Sequence, residues 1–305
     1  MRRTGDPATP DKVLLIHGFG ASSGHWRHSL PALAARADVL AIDLLGFGAS
    51  AKPRSRLADE PAQPGAVRYC FDLWARQVAD AATELLQVGT QPVRLHLVGN
   101  SIGGMVALTA ALLLRSRGSA PHQVVLIDCA QRALDDKRLG ELPAWQRPVR
   151  PLLKSLVRQR ALIGPLFRLL AQPAAIRRVL ARAYPSGSHV DDELVDLLVR
   201  PSTDPGALES FRGFVNLFND HLAPELLAEL SQPAAAGEPL IPVRLIWGEA
   251  DPWEDPAQAR AWASRYACIQ ELVVLPGVGH CPHDEAPELV NPLLLRWIGE
   301  EAGAI

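Results

Sequence analysis

Leu95-His96-Leu97-Val98-Gly99-Asn100-Ser101-Ile102-Gly103-Gly104-Met105-Val106-Ala107-Leu108 reads as a strand, a tight turn and a helix in immediate succession. The first four residues have the largely apolar composition of a strand covered on both faces. Residues 102–115 are rich in Ala, Leu, Met and Val and predict a buried helix. Gly99 and Gly103 frame Ser101 as G-x-S-x-G, supplying the small residues that so sharp a turn needs. A serine placed here stands at a helix N-terminus, where free N–H groups and the helix dipole stabilise developing negative charge. A Gly-rich turn with a capping serine would use the same residues, so the meaning of Ser101 depends on what lies around it.

Working outward, the runs 13–16, 39–42, 124–127, 243–246 and 271–275 also read as buried parallel strands. Helical patterns at 73–86, 258–266 and 287–300 alternate with them. Alternation of this kind predicts an α/β fold built on a doubly wound, mostly parallel sheet. Chemistry is then expected just past the carboxyl ends of the strands. Residues 133–232 break the rhythm, with helical segments punctuated by Pro and Gly and no strand. They read as a helical cap inserted over the site, leaving 1–132 and 233–305 as the core. The polar stretch 52–66 reads as a flexible surface loop.

The chain has 305 residues, 48% hydrophobic and 21% charged, with a formal net charge of −2. A chain this long buries a sizeable core without disulfides or a structural metal, and its charge balance gives no pull toward nucleic acid. Cys70, Cys129, Cys268 and Cys281 are scattered without a C-x-x-C pair, which argues against a zinc site and fits a reducing compartment. The apolar run 13–16 is too short for a signal sequence or a membrane span. A cytoplasmic protein, at most peripheral to a membrane, is expected.

The other strand ends carry the remaining candidates. After the first run comes His17-Gly18-Phe19-Gly20, where the Phe19 N–H and that of Ile102 are placed to share one oxyanion. His17 is expected to pin this loop or to face the pocket. After 243–246 comes Trp247-Gly248-Glu249-Ala250-Asp251-Pro252-Trp253. Asp251 is the leading acid, with Asp128, directly after 124–127, as the alternative and Glu249 a weaker rival. After 271–275 comes Gly277-Val278-Gly279-His280, the leading base, with His283 close behind it. Trp253, beside the acid, is expected to line the substrate pocket. A Ser101–His280–Asp251 set implies acyl transfer to the serine followed by hydrolysis, with no metal or organic cofactor.

With these residues in place the chain resembles the α/β-hydrolase superfamily, in which Ser, Asp and His follow one another in this order. Within it the segment Gly279-His280-Cys281-Pro282-His283-Asp284-Glu285 and its continuation to Ile298 resemble the pheophytinases and chlorophyll dephytylases. The segments 41–50, 71–78, 99–108 and 249–253 support the likeness. The resemblance implies hydrolysis of the phytyl ester of a chlorophyll-type pigment by Ser101, Asp251 and His280. Other bulky esters, thioesters, carbon–carbon bonds of diketones, or ligand binding without turnover remain alternatives on the same scaffold. Between Arg147 and Arg182 nine basic residues and no acid are interleaved with leucines. That pattern suits either a solvated face over packed leucines or peripheral contact with an anionic membrane, a photosynthetic one if the resemblance holds.

Overall fold

The computed structural model describes residues 1–235 and 237–300; Ala236 and the last five residues of the expected core lie outside the described residues. The strands are β1 (Arg2–Thr4), β2 (Asp11–Ile16), β3 (Asp38–Ile42), β4 (Arg54–Ser55), β5 (Ala66–Val67), β6 (Arg94–Asn100), β7 (Gln123–Ile127), β8 (Val243–Gly248) and β9 (Ile269–Leu275). The helices before the long insertion are α1 (Ser29–Leu33), α2 (Phe71–Leu86) and α3 (Ile102–Ser116). Within it lie α4 (Arg150–Arg158), α5 (Arg160–Leu170), α6 (Pro173–Ala183), α7 (Asp192–Val199), α8 (Ala207–Val215) and α9 (Ala223–Leu230). After it come α10 (Pro256–Arg265), α11 (Pro282–Glu285) and α12 (Pro287–Gly299).

Seven strands form one sheet in the order β1-β3-β2-β6-β7-β8-β9, parallel except for β1 against β3. The apolar runs are continuous because alternate residues feed opposite cores. Leu14, Ile16, Leu97 and Leu245 join the core under α2, α3 and α10, whereas Val13, Leu15, Val98 and Ile246 join that under α1 and α12. Strand order reverses between β2 and β6, which lie side by side with Ile16 opposite Gly99. Ligands of open α/β sheets bind outside such a switch point, and these two strands deliver the loops of Phe19 and Ser101.

The described residues of 133–232 hold helices and no strand. Ala223, Leu226, Leu227 and Leu230 of α9 belong to the main core with α3, whereas Leu180 and Ala183 of α6 and Leu194 and Val195 of α7 form a separate cluster with Tyr184 and Cys281. The stretch 52–66 is held more firmly than its polarity predicts. Its ends form the parallel pair β4–β5. The Ser55 hydroxyl donates to Glu209 of α8 (2.5 Å), Arg160 of α5 donates to the Ser55 carbonyl (2.9 Å), and Arg212 of α8 pairs with Glu60. These partners lie about a hundred residues or more downstream in sequence, which is why the stretch alone reads as a loop. Among the described residues no helix is long and apolar enough to cross a membrane.

Candidate active site

Ser101 sits between β6 and α3 with φ 55° and ψ −121°, a conformation that side chains other than glycine rarely adopt. The strain is held by packing around it. A Cβ on Gly103 would lie 2.3 Å from the Ile16 carbonyl oxygen, and one on Gly99 would lie 2.2 Å from that of Gly103. Both positions therefore require glycine. The Ser101 N–H donates to the Ile127 carbonyl (2.9 Å), and its carbonyl accepts from Gly104 and Ala130. A Cβ on Gly18 would lie 3.2 Å from the Ser101 Cβ, so the His17–Phe19 turn runs directly against the serine.

Asp251 and His280 meet across the ends of β8 and β9, with Asp251 Oδ2 2.7 Å from His280 Nδ1. Asp251 Oδ1 accepts the N–H groups of Trp253 (2.8 Å) and Glu254 (3.1 Å). Burial alone would raise the Asp251 pKa, but the His280 hydrogen bond and charge outweigh it and hold the carboxyl below its ordinary range. Asp251 is thus an anion, and His280 Nδ1 carries the proton between them. That leaves Nε2 free to accept one. Asn100, next to Ser101, donates to the His280 carbonyl (3.1 Å) and ties the serine turn to the histidine loop. Ser101 and His280 are both largely covered yet not sealed.

The other candidates fall elsewhere. Asp128 is fully buried after β7, with Oδ1 accepting the Gly248 N–H (2.9 Å) and no hydrogen bond to His280 among the described residues. Burial first, then the adjacent Asp251 charge, pushes its pKa well up, so it stands neutral beside Asp251. Glu249 is exposed. His283 is buried between His25 and Trp26, with neither ring nitrogen hydrogen-bonded among the described residues. His17 is also fully buried: Nδ1 donates to the Gly18 carbonyl (2.7 Å) and Nε2 accepts from Leu44 N–H (3.1 Å). It faces the backbone of two loops rather than a pocket, and burial lowers its pKa to about 4. Trp253 is half-exposed and stands edge-on to the His280 ring at 4.9 Å.

Sequence reasoning missed several supporting groups. Buried Glu285 accepts from Gly279 N–H (2.7 Å) and from Ser186 N–H and Oγ, fastening the histidine loop to the chain after α6. Glu254 accepts the Gln131 N–H (2.7 Å), and burial pushes its pKa up to about 7. Asn100 lies inside the G-x-S-x-G string, but the others carry no local signal. Among the described residues no group of three His, Cys, Asp or Glu side chains is placed to hold a metal ion.

Residues 13–293 match the alpha/beta hydrolase family. The chain belongs to that family. It is 28% identical to a chloroplastic pheophytinase of Arabidopsis thaliana, over 94% of this chain and 60% of that protein. It is 27% identical to the dihydrolipoyllysine-residue acetyltransferase component of the acetoin cleaving system of Pseudomonas putida, over 96% of this chain and 64% of that one. The chain therefore spans less than two thirds of the length of these two relatives. In structure it is similar to a serine hydrolase involved in carbazole degradation, with a TM-score of 0.69 at 18% identity, over 97% of this chain and 92% of that one.

An apolar cavity of about 270 Å³ opens beside the Phe19 turn, walled by Phe47, Phe167, Ile176, Leu180 and Phe211; it shares Phe19 but is lined by none of Ser101, Asp251 and His280, nor by Trp253, which was expected there. Phe19 stacks on Phe214 of α8 at 3.9 Å, so the turn against Ser101 is also packed against α8. A larger hollow of about 710 Å³ lies by Arg2, Asp43, Glu193 and Asp204. It touches none of Phe19, Ser101, Asp251 and His280, and its charged rim suits water better than an apolar ligand.

Proposed function

We propose that this hydrolase cleaves a carboxylic ester of a bulky lipophilic alcohol, with the phytyl ester of a chlorophyll-type pigment as substrate. The chemistry is carried by the 2.7 Å contact of His280 Nδ1 with an ionised Asp251, in a loop that the Asn100 bond to the His280 carbonyl ties to the strained Ser101 turn. In this reading His280 Nε2 takes the Ser101 proton as Oγ attacks the ester carbonyl carbon. The N–H groups of Phe19 and Ile102 receive the oxyanion at the α3 N-terminus. When the tetrahedral species collapses, the carbon–oxygen bond to the alcohol breaks and His280 returns the proton to that leaving oxygen. Water then attacks the acyl-serine, losing a proton to His280, which passes it to Ser101 Oγ as the acyl–oxygen bond breaks; the released acid gives its remaining proton to solvent. Asp251 fixes the imidazole tautomer and stabilises the imidazolium in both halves.

The substrate reading is supported by the likeness to pheophytinase and by the apolar lining of the cavity. At about 270 Å³ it falls below the ~300–1,000 Å³ usual for whole small-molecule sites. Such a slot takes an apolar chain and leaves a ring system at its mouth. In this reading helices α5 to α8 supply the cap side of it. Mixing the purified protein with chlorophyll a and with pheophytin a is expected to release phytol, and Ser101→Ala is expected to abolish release. Turnover of short p-nitrophenyl esters without phytol from either pigment would replace this reading with a general esterase. Failure of a fluorophosphonate probe to label Ser101 in folded protein would remove the nucleophile altogether.

A further inference from the structure

The cap turns an apolar face to solvent. On α4, Leu152, Leu153 and Leu156 are exposed, as is Val149 just before it, with Leu152 63% accessible. On α5, Leu162, Leu166, Leu169 and Leu170 are exposed at the i, i+4, i+7, i+8 spacing of one helical stripe, and Leu169 is 66% accessible. Stripes of this kind normally face a core. Here two successive helices present theirs outward, and Trp145 beside them is 72% accessible. A contiguous apolar surface on a soluble domain marks a contact site.

Charge indicates the partner. Much of the basic character of 147–182 is compensated: Arg150 and Lys154 pair with Asp136, Arg158 with Asp59, Arg160 with Glu209 and Arg177 with Asp192. Arg168, Arg178 and Arg182, exposed on α5 and α6, form no ion pair among the described residues. An isologous contact with a second copy would bring this uncompensated positive charge against itself. An anionic lipid surface complements it while taking up the leucines.

The apolar face is also continuous with the cavity. Leu170 and Val179 line the cavity and are exposed on α5 and α6 at the same time. We propose that the outer face of α4–α6 is an interfacial membrane-binding surface that sets the cavity mouth against an anionic bilayer. A lipophilic chain then passes from lipid into the slot without crossing water. This delivery role rests on the lipophilic-ester reading; the membrane contact itself does not.

Co-sedimentation with vesicles of phosphatidylcholine, alone and mixed with phosphatidylglycerol, tests the surface. Wild-type protein is expected to pellet with the mixed vesicles. The exposed triple change Leu152→Glu, Leu156→Glu, Leu169→Glu is expected to weaken pelleting roughly a hundredfold on both compositions. Arg168→Gln, Arg178→Gln, Arg182→Gln is expected to weaken it by about the same factor on the anionic vesicles only. Both variants are expected to keep wild-type turnover of p-nitrophenyl acetate in solution, which shows that they fold. A wild-type protein that stays in the supernatant with both vesicles overturns the proposal, as does pelleting that survives the leucine changes. A dimer in sedimentation velocity that the leucine changes dissolve, without vesicle binding, assigns the face to a second copy instead. Vesicle binding without ester turnover leaves the surface standing and sinks the functional reading.

Discussion

Two carboxyls, Asp128 and Asp251, lie together behind His280, and replacing each by asparagine distinguishes their roles. Asp251 is ionised and accepts from His280 Nδ1 at 2.7 Å. Asparagine there removes the charge and can turn an N–H toward the ring, favouring the wrong tautomer. In serine-triad enzymes that change costs about 10⁴ in kcat, or about 5.5 kcal/mol of transition-state stabilisation. Asp128 is held neutral by burial and by the Asp251 charge, and its Oδ1 accepts from Gly248 N–H at 2.9 Å. Asparagine preserves that oxygen and swaps a protonated oxygen for an amide, so neutral replaces neutral. Asp128→Asn is expected to change kcat/KM by less than about tenfold, or about 1.4 kcal/mol. Asp128→Ala strands the buried Gly248 N–H and is expected to cost about 1–3 kcal/mol of stability. The pH dependence adds a sign. A carboxyl with a raised folded pKa gives stability that is complete below its ordinary value of 3.8 and is lost as pH rises through the folded value. Wild type should therefore lose stability as pH rises above 3.8, and Asp128→Asn should flatten that slope. The assay is kcat/KM on a p-nitrophenyl ester across pH, with Tm measured in parallel. A collapse in Asp128→Asn with activity retained in Asp251→Asn would refute the assignment and make Asp128 the working anion.

Gly103→Ala would put a Cβ 2.3 Å from the Ile16 carbonyl oxygen and 2.7 Å from that of His17. Overpacking of this kind costs about 1–3 kcal/mol, and the displaced Phe19 turn is expected to lower kcat about a hundredfold; unchanged Tm and turnover would show that the two loops are not braced there. His17 has a pKa lowered from 6.5 to about 4 by burial, so the unfolded chain binds its proton first as pH falls. Its contribution is complete above 6.5 and is lost toward pH 4, about 3 kcal/mol in all. His17→Gln is expected to lower Tm at pH 7.5 and to shrink the fall in Tm between pH 6.5 and 4; an acid limb identical to wild type would remove His17 from this role.

The parts of the fold and site that were legible in the sequence share one property: the information is local. The parallel strands contain short apolar runs, and those of β2, β6, β8 and β9 lead within two residues into a glycine. Gly99 and Gly103 around Ser101, and Gly18 beside it, are read without a structure because a side chain at any of them would meet backbone or Ser101 within about 3 Å. What was hidden depends on contacts between distant segments. Arg2–Thr4 is too polar to read as a strand, yet Arg3 reaches Asp38 across the pair with β3. The 52–66 stretch is ordered by Glu209, Arg160 and Arg212. The competition between Asp251 and Asp128 belongs to the same class, since both follow adjacent strands in equivalent loops. What separates them is how closely β8 exits under the histidine loop. A Cβ on Gly248 would lie 2.0 Å from the Gly279 carbonyl oxygen, and this close approach carries Asp251 to His280 while Asp128 stays behind the sheet end. The exposed leucine stripe of α5 is the converse case. The i, i+4, i+7, i+8 leucines of α5 are plain in the sequence, but periodicity alone says only that one side is apolar. Whether that side faces inward or outward is fixed by Ile163, which alone among the α5 aliphatics is fully buried while the leucines around it stay exposed.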